Sequence, residues 1–455
     1  MLFSYIRSLF LLSLPLIGGH IAQILIGVGD TLIVGRYSTE SLAALVLGTT
    51  IFFIIFIFGA GFSFAVVALV STAKSESDTV KIRRITRMAL WLSFAFGLFV
   101  FPIFLFSETV LLFLGQELNL AILASDYLIF SGIAMFPALS ASVLRCYLAG
   151  LEYVKVTFYI SMLAVLLNLL VNYLLVFGKL GLPELGIVGA GIATVFVNLF
   201  MCISFLVYAK LKLPQHNLFV RFWRPDWPVI GLVSKMGSAI GISSLAEAGL
   251  FSASSIMMGW IGQIELAAHG IALQLASITF MLHLGLSDAA TIRVSSAFGK
   301  KNKREIINEC WAALIISLAV SLLAIKVFLG IPNFLISAFL NPEELSANLI
   351  MKIGVSLLAL AALFQLVDGG QALAIHLLRG LHDTTIPMYL AIISYWIIGL
   401  PIGYLLSFHY NFGPQGIWLG LVLGLGSACV FLFTRLVVNI PVSYTHLTLP
   451  TNREV

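Results

Sequence analysis

Long apolar stretches, each closed at its ends by a few polar residues, recur along the whole chain. Crossing about 30 Å of hydrocarbon takes about 20 residues of helix. Runs of that length extend from Leu9 to Val34, Leu42 to Val70, Met88 to Phe106, Leu120 to Leu144, Val156 to Phe177 and Ile187 to Tyr208. Six more run from Met236 to Ile261, Leu266 to Ile292, Trp311 to Leu329, Leu349 to Leu378, Ile386 to Phe408 and Ile417 to Leu436. In hydrocarbon the peptide groups must satisfy one another, so each run reads as a helix. The pattern predicts an all-α integral membrane protein with twelve transmembrane helices.

The second six runs repeat the first six. GRYSTESLAALVLG, from Gly35 to Gly48, is answered 224 positions later by GWIGQIELAAHGIA, from Gly259 to Ala272. Gly61, Ser63, Ser71 and Ala73 then fall on Gly285, Ser287, Ser295 and Ala297 without a gap. Further on the offset becomes 230, so that Leu148, Gly150 and Leu151 map to Leu378, Gly380 and Leu381, and Gly186-Ile187 to Gly416-Ile417. A register held this far points to duplication, and a duplicated membrane chain suggests a transporter. An even number of spans per copy sets both copies the same way up, a parallel repeat. The expected division is an N-terminal six-helix lobe (1–209), a linker (210–228) rich in prolines and basic residues, and a C-terminal six-helix lobe (229–441).

Composition agrees with that solvent, because 60% hydrophobic and only 10% charged residues exceed what a water-soluble core requires. Lys and Arg gather on alternate loops, including Lys74 to Arg87, Lys210 to Lys235 and Lys300 to Arg304, and leave the other loops nearly bare. Positive charge near span ends is retained in the cytoplasm, so both termini and the linker are expected there. The net charge of +5 is thereby topology and a contact with the lipid bilayer, with no nucleic-acid partner implied. No G-x-x-x-x-G-K-[ST] run occurs, the four cysteines show no C-x-x-C spacing, and there is neither a catalytic cluster nor a pore loop, so an enzyme, a cofactor and a channel are not expected. The first apolar run is too long for a cleaved signal peptide and is expected to stay. VSYTHLTLPTN, from Val442 to Asn452, turns abruptly polar and resembles a translated sequencing adapter, so 442–455 is read as a non-native tail.

Three carboxylates remain inside hydrocarbon: Asp30 in the first span, Glu247 in the seventh and Asp368 in the tenth, none with a basic residue within a helical turn. A charged carboxylate at mid-span costs about 2.5 to 3.5 kcal/mol even on the lenient insertion scale. Such a group can alternate between a neutral, proton-bearing form and an anion that attracts a cation, which is the chemistry of a coupling site. The plainer reading is a protonated residue hydrogen-bonded to neighbouring helices.

The surroundings of these acids resemble the multidrug and toxic compound extrusion (MATE) family, in its NorM-like branch. The likeness is carried by Pro15, Gln23 and the run from Asp30-Thr31 to Gly35-Arg36. It continues in NLLVNYLLVFGKLGLPELGIVGAGIAT (Asn168 to Thr194), Glu247, AATIR (Ala289 to Arg293) and ALFQLVDGGQALAIHLLRGLHD (Ala362 to Asp383). It implies two six-helix lobes in a bacterial cytoplasmic membrane, working as a monomer. It also implies efflux of organic cations and amphipathic drugs, driven by sodium ions (Na+) or protons (H+), by alternating access. Carried over residue by residue, it puts an N-lobe coupling site at Asp30, Asn168, Asn172 and Thr194, and a C-lobe site for cation and substrate at Glu247 and Asp368, where Na+ would bind.

Asn168 and Asn172 are four apart and share a helix face; they would ligate sodium, hydrogen-bond a protonated Asp30, or simply join helices. Gln365 and Gln371 stand three residues either side of Asp368, close enough in angle to line one cavity, and Gln274 in the eighth span would line it or, the plainer reading, simply contact a neighbouring helix. His269, His283 and His376 are expected to be neutral hydrogen-bonding groups. Tyr395, Trp396, Phe280 and Phe364 would stack on a flat cation or pack against lipid. Asp288 departs from the family pattern and is expected to pair with Arg293. The alternative function is a flippase for lipid-linked precursors, of a related fold, which would need a cationic cavity where this one is acidic.

Overall fold

In the structure, a computed structural model describing residues 2–340 and 346–448, side chains are described up to 439. The tail set aside above falls outside this description, apart from the backbone of 442–448. All regular structure among the described residues is helical. Among the described residues twelve helices are long and apolar enough to cross a membrane. The first six are α1 (Leu2–Tyr37), α2 (Thr39–Ser75), α3 (Thr79–Leu105), α4 (Leu118–Gly150), α5 (Val154–Val176) and α6 (Gly186–Lys212). The second six are α7 (Trp227–Ile261), α8 (Gln263–Gly299), α9 (Lys303–Gly330), α10 (Ala347–Gly380), α11 (Thr385–His409) and α12 (Pro414–Thr448). Ten of the apolar runs read from the sequence lie within one of these helices, and the other two, ending at Phe106 and Phe177, pass the last helical residue by one.

The helix ends are set locally. Asp78 caps α3 by accepting from the Lys81 amide at 2.8 Å, and Asn302, 224 positions later, caps α9 from the Glu305 amide at 3.2 Å. A cap of this kind is worth about 1 kcal/mol. A short helix follows each of these spans, Ser107–Phe113 and Pro332–Ser337.

By contacts the chain forms two compact units, Gly18–Gly241 and Met1–Ile17 with Ile242–Val455. These bounds fall inside α1 and α7, whereas the lobes expected from the repeat part at the linker. In the first unit α4 is central and packs on α2, α3 and α6; in the second, α10 packs on α8, α9 and α12. Both units use glycine for backbone contact. A Cβ on Gly61 would stand 2.3 Å from the Gly237 carbonyl and 2.6 Å from the Gly241 nitrogen. In the other unit, Gly285 meets Ile17 in the same way, with the Ile17 nitrogen at 2.6 Å. Gly285 and Gly241 lie 224 positions beyond Gly61 and Ile17, so one contact recurs at the repeat spacing.

In α11, Pro401 lacks the N–H that a regular helix would use and its ring crowds the preceding turn. The backbone there widens into a π-helical turn from Ile393 to Gly399. Gly399 and Gly403 let this helix lie against Gly424 and Gly420 of α12. The wide turn carries Tyr395, whose position matters below.

The linker is strapped to the first unit. Arg87 donates to the carbonyls of Val220 and Arg221, at 3.3 and 2.8 Å, and Trp91 to that of Phe222 at 3.0 Å. Arg84 grips the Asp226 carboxylate, and Tyr147 shares a hydrogen bond of 2.5 Å with His216 Nδ1.

Candidate functional site

Each unit holds a buried acidic centre. In Gly18–Gly241, α1 presents Asp30 to the face of α5 on which Asn168 and Asn172 are stacked. Asp30 Oδ1 accepts from Asn168 Nδ2 at 2.9 Å and from Asn172 Nδ2 at 2.7 Å. The Asn172 amide also reaches the Asn168 carbonyl at 3.1 Å. All three residues are buried, and the side-chain oxygens of both asparagines receive no hydrogen bond. A buried polar atom without a partner costs about 1 to 3 kcal/mol, so two beside one carboxylate make an incomplete oxygen shell. Gly29 permits the approach, since a Cβ there would meet Leu169 at 2.8 Å and Asn168 Oδ1 at 3.0 Å.

Thr194 belongs to this centre less directly, because its hydroxyl donates to the Ala190 carbonyl of its own helix at 3.0 Å. Tyr127 interacts with both Thr194 and Asp30, and its backbone carbonyl accepts from the Ser131 hydroxyl at 3.0 Å. Tyr127 was not among the expected site residues; among 13 tyrosines and 35 phenylalanines nothing in the sequence sets it apart.

In the other unit, α10 brings Asp368 and Gln371 to Glu247 of α7. Gln371 Nε2 donates to Glu247 Oε1 at 2.8 Å and lies 3.5 Å from Asp368 Oδ1. Its carbonyl oxygen accepts from the Tyr395 hydroxyl at 2.8 Å. One neutral amide therefore spans two carboxylates and is itself aimed by a phenol. Asp368, Gln371 and Tyr395 are buried, while Glu247 is half-buried. Arg379, two turns further along α10, is near enough to interact electrostatically with Glu247, Asp288 and Tyr395.

Other expectations come out differently. Gln365 is buried but turned away, its amide 3.4 Å from the Ala276 carbonyl of α8 and its oxygen without a donor. Gln274 is exposed on α8 and makes no hydrogen bond to the acidic pair. Asp288, expected to pair with Arg293, lies 3.5 Å from His376, and Arg293 lies 3.3 Å from Glu309 of α9. Tyr395 and Phe364 are buried, Phe364 against Phe251 and Trp418, and neither offers a face to a drug. Trp396 donates to the Ala246 carbonyl at 3.1 Å and keeps part of its surface exposed. His269 joins Trp418 and Ser255, and His283 joins Ser317 and Ser321, both as links between helices. Among the described residues no three His, Cys, Asp or Glu side chains converge, so the donors on offer are carboxylate and amide oxygens, which suit hard cations.

Comparison with known proteins agrees with the geometry. The MatE family model matches residues 15–174 and 239–405, starting points with the same spacing that relates Gly61 to Gly285. The chain is 42% identical over 438 residues to "Probable multidrug resistance protein NorM" of Agrobacterium fabrum, covering 96% of this chain and 94% of that protein. It is also 42% identical over 434 residues to the protein of that name from Rhizobium meliloti, covering 95% and 93%. A crystal structure of MATE in the bent conformation shares the fold, with TM-score 0.88 over 97% of this chain and 96% of the other at 18% identity.

Proposed function

The chain belongs to the MatE family, and from that membership we propose that it is a secondary active multidrug efflux transporter. It exchanges sodium ions or protons for organic cations and amphipathic drugs by alternating access. The observation that carries the reading is the pairing of Glu247 with Asp368 through the neutral amide of Gln371. Two carboxylates joined by an uncharged group leave a negative site that a cation can fill.

Exchange follows from competition for that site. An organic cation is held by the anionic carboxylates; a proton or sodium ion neutralises the same groups and removes the attraction. A ligand shifts a two-state protein only by its differential affinity for the two states, so the site must be reached from opposite sides in turn. Asp30 with its two open amide oxygens is a second cation or proton site. In the membrane, 1–209 and 229–441 act as the two lobes, with both termini and the linker in the cytoplasm of a bacterial cell and a single copy as the working unit. The acidic character of the site disfavours the anionic pyrophosphate of a lipid-linked precursor.

Purified protein in liposomes, loaded with a fluorescent organic cation and given a sodium or a pH gradient in turn, tests the proposal. Efflux driven by at least one gradient, and lost in Glu247→Gln and Asp368→Asn variants that fold normally, is the expected result. Undiminished efflux in both variants would overturn it.

A further inference from the structure

One polar cluster is left unused by this scheme, where α8 and α10 approach their Lys/Arg-rich ends. His376 Nδ1 lies 2.7 Å from the Ala372 carbonyl, one turn back on its own helix. A carbonyl only accepts, so Nδ1 carries a hydrogen whatever the charge of the ring. The other nitrogen, Nε2, has two neighbours of opposite demand. Arg379 NH1 stands 3.1 Å away and Asp288 Oδ1 3.5 Å away. An arginine nitrogen can only donate and a carboxylate can only accept. Nε2 therefore takes the Arg379 hydrogen bond when its lone pair is free, and gives a hydrogen to Asp288 when it is protonated. It cannot do both.

We infer that His376 positions Arg379: protonation of the ring turns Nε2 from Arg379 to Asp288 and sends the guanidinium to Glu247, where it acts as a tethered cation competing with the transported one. The proposal rests on the reading of Glu247 and Asp368 as the cation site. Arg379 senses two carboxylates, Asp288 and Glu247; once the imidazolium donates to Asp288 and offsets its charge, Glu247 is the stronger attraction. Displacement is favoured twice, since the positive ring repels the guanidinium while its former partner turns away. Arg379 and Asp288 face the ring, and Arg379 in turn interacts with Asp288 on α8, Glu247 on α7 and Tyr395 on α11. Arg293 is held by Glu309 and Arg435 by Asp383, so neither stands in for Arg379. Thr291 of α8 donates to the His376 carbonyl at 3.0 Å and ties the two helices at this level. His376 is buried, and Asp288, with 23% of its side chain exposed, gives protons a way to it. The consequence is directional: a proton arriving at His376 weakens the hold on an organic cation without touching the binding carboxylates.

The test is binding of tetraphenylphosphonium to the purified full-length protein between about pH 8 and pH 5, the window in which imidazole titrates. Wild type should lose affinity as the pH falls, with a component of about tenfold, a usual size for coupling between two sites, that is missing in His376→Gln. Glutamine can still accept from Arg379 but cannot titrate. Asp288→Asn, which deprives the imidazolium of its carboxylate, should need a lower pH for the same loss. An unchanged pH profile in His376→Gln, or in Asp288→Asn should the first variant not fold, would overturn the proposal. A pH-independent affinity in wild type would do the same. Glu247→Gln, measured in parallel, separates the two readings: if it binds the probe as wild type does, the assignment of the cation site is wrong, and if it abolishes binding while the profiles coincide, only the role of His376 is.

Discussion

The amide nitrogen of Gln371 stands 2.8 Å from the Glu247 carboxylate, so the group that organises the acidic pair in the C-terminal half is uncharged. Its orientation is forced by Tyr395, which claims the amide oxygen and leaves the NH2 group facing the acids.

Removing this amide should therefore weaken the site rather than empty it. A hydrogen bond to a charged group is worth about 1.5 to 3 kcal/mol, or roughly ten- to a hundredfold in affinity. Gln371→Leu is expected to lower affinity for organic cations by that factor. Tyr395→Phe, which only frees the amide to turn, should cost about tenfold or less, within the range of about 0.5 to 1.5 kcal/mol for a neutral hydrogen bond. Equilibrium binding in detergent reads both, and a larger loss in Tyr395→Phe than in Gln371→Leu would contradict the order.

The N-terminal acid can be tested apart from this pair. Asp30→Asn keeps the shape of the side chain and offers an oxygen to Asn168 and Asn172 while removing the charge. Thermal stability is expected to hold within about 1 kcal/mol, because a buried charge costs more to keep than a neutral group. Gradient-driven efflux should fall. If coupling in liposomes is unchanged, the C-terminal pair drives transport alone.

Helix packing makes a third prediction. Gly61→Ala and Gly285→Ala each push a methyl group into backbone, and overpacking of this kind costs about 1 to 3 kcal/mol. Gly270→Ala has nothing within 4 Å of the new carbon and gains about 0.8 to 1 kcal/mol of helix propensity. Melting curves in detergent should show the first two variants lowered and the third level with wild type or above it.

The linker should loosen with acid in two stages. Burial holds His216 below the ordinary histidine pKa of 6.5, so the neutral ring makes the contact with Tyr147. The released linker binds a proton more readily, hence this anchor is complete above pH 6.5 and is lost as the pH falls below it. The Arg84 guanidinium holds Asp226 below the usual carboxylate value of 3.8. That anchor is present above 3.8 and fails only as the pH drops through the depressed value. Arg84 and Asp226 are partly exposed, and the ion pair is worth about 1 kcal/mol or less. A spin label at Gln215→Cys, in a background without the other cysteines, should gain mobility below about pH 6.5, the histidine range, and His216→Phe should abolish that step.

Much of this was legible in the chain. Twelve spans were readable because hydrocarbon tolerates only long apolar helices, whereas the Asp30 centre was indicated by the family resemblance, the spacing of the two asparagines saying only that they share a face. Gln365 was misjudged for a geometric reason. Its spacing of three residues from Asp368 allows it to face the acids, but its amide lies 3.4 Å from the Ala276 carbonyl of α8, a contact across helices that the spacing does not announce. Tyr395 depends on the wide turn before Pro401, which no periodicity announces. Asp288 was assigned to the nearest arginine in sequence, and the true neighbour, His376, is 88 positions away. The linker, read from its prolines and charges as a plain connection, is tied by Arg84, Arg87 and Trp91 to α3.

The bounds of the compact units have a consequence for how such a chain can be assembled. Residues 1–17 pack with the second half and the segment up to Gly241 with the first, so neither product of a split gene would carry a complete helical bundle. Halves expressed separately should be unstable until they meet, each supplying the stave that the other barrel lacks.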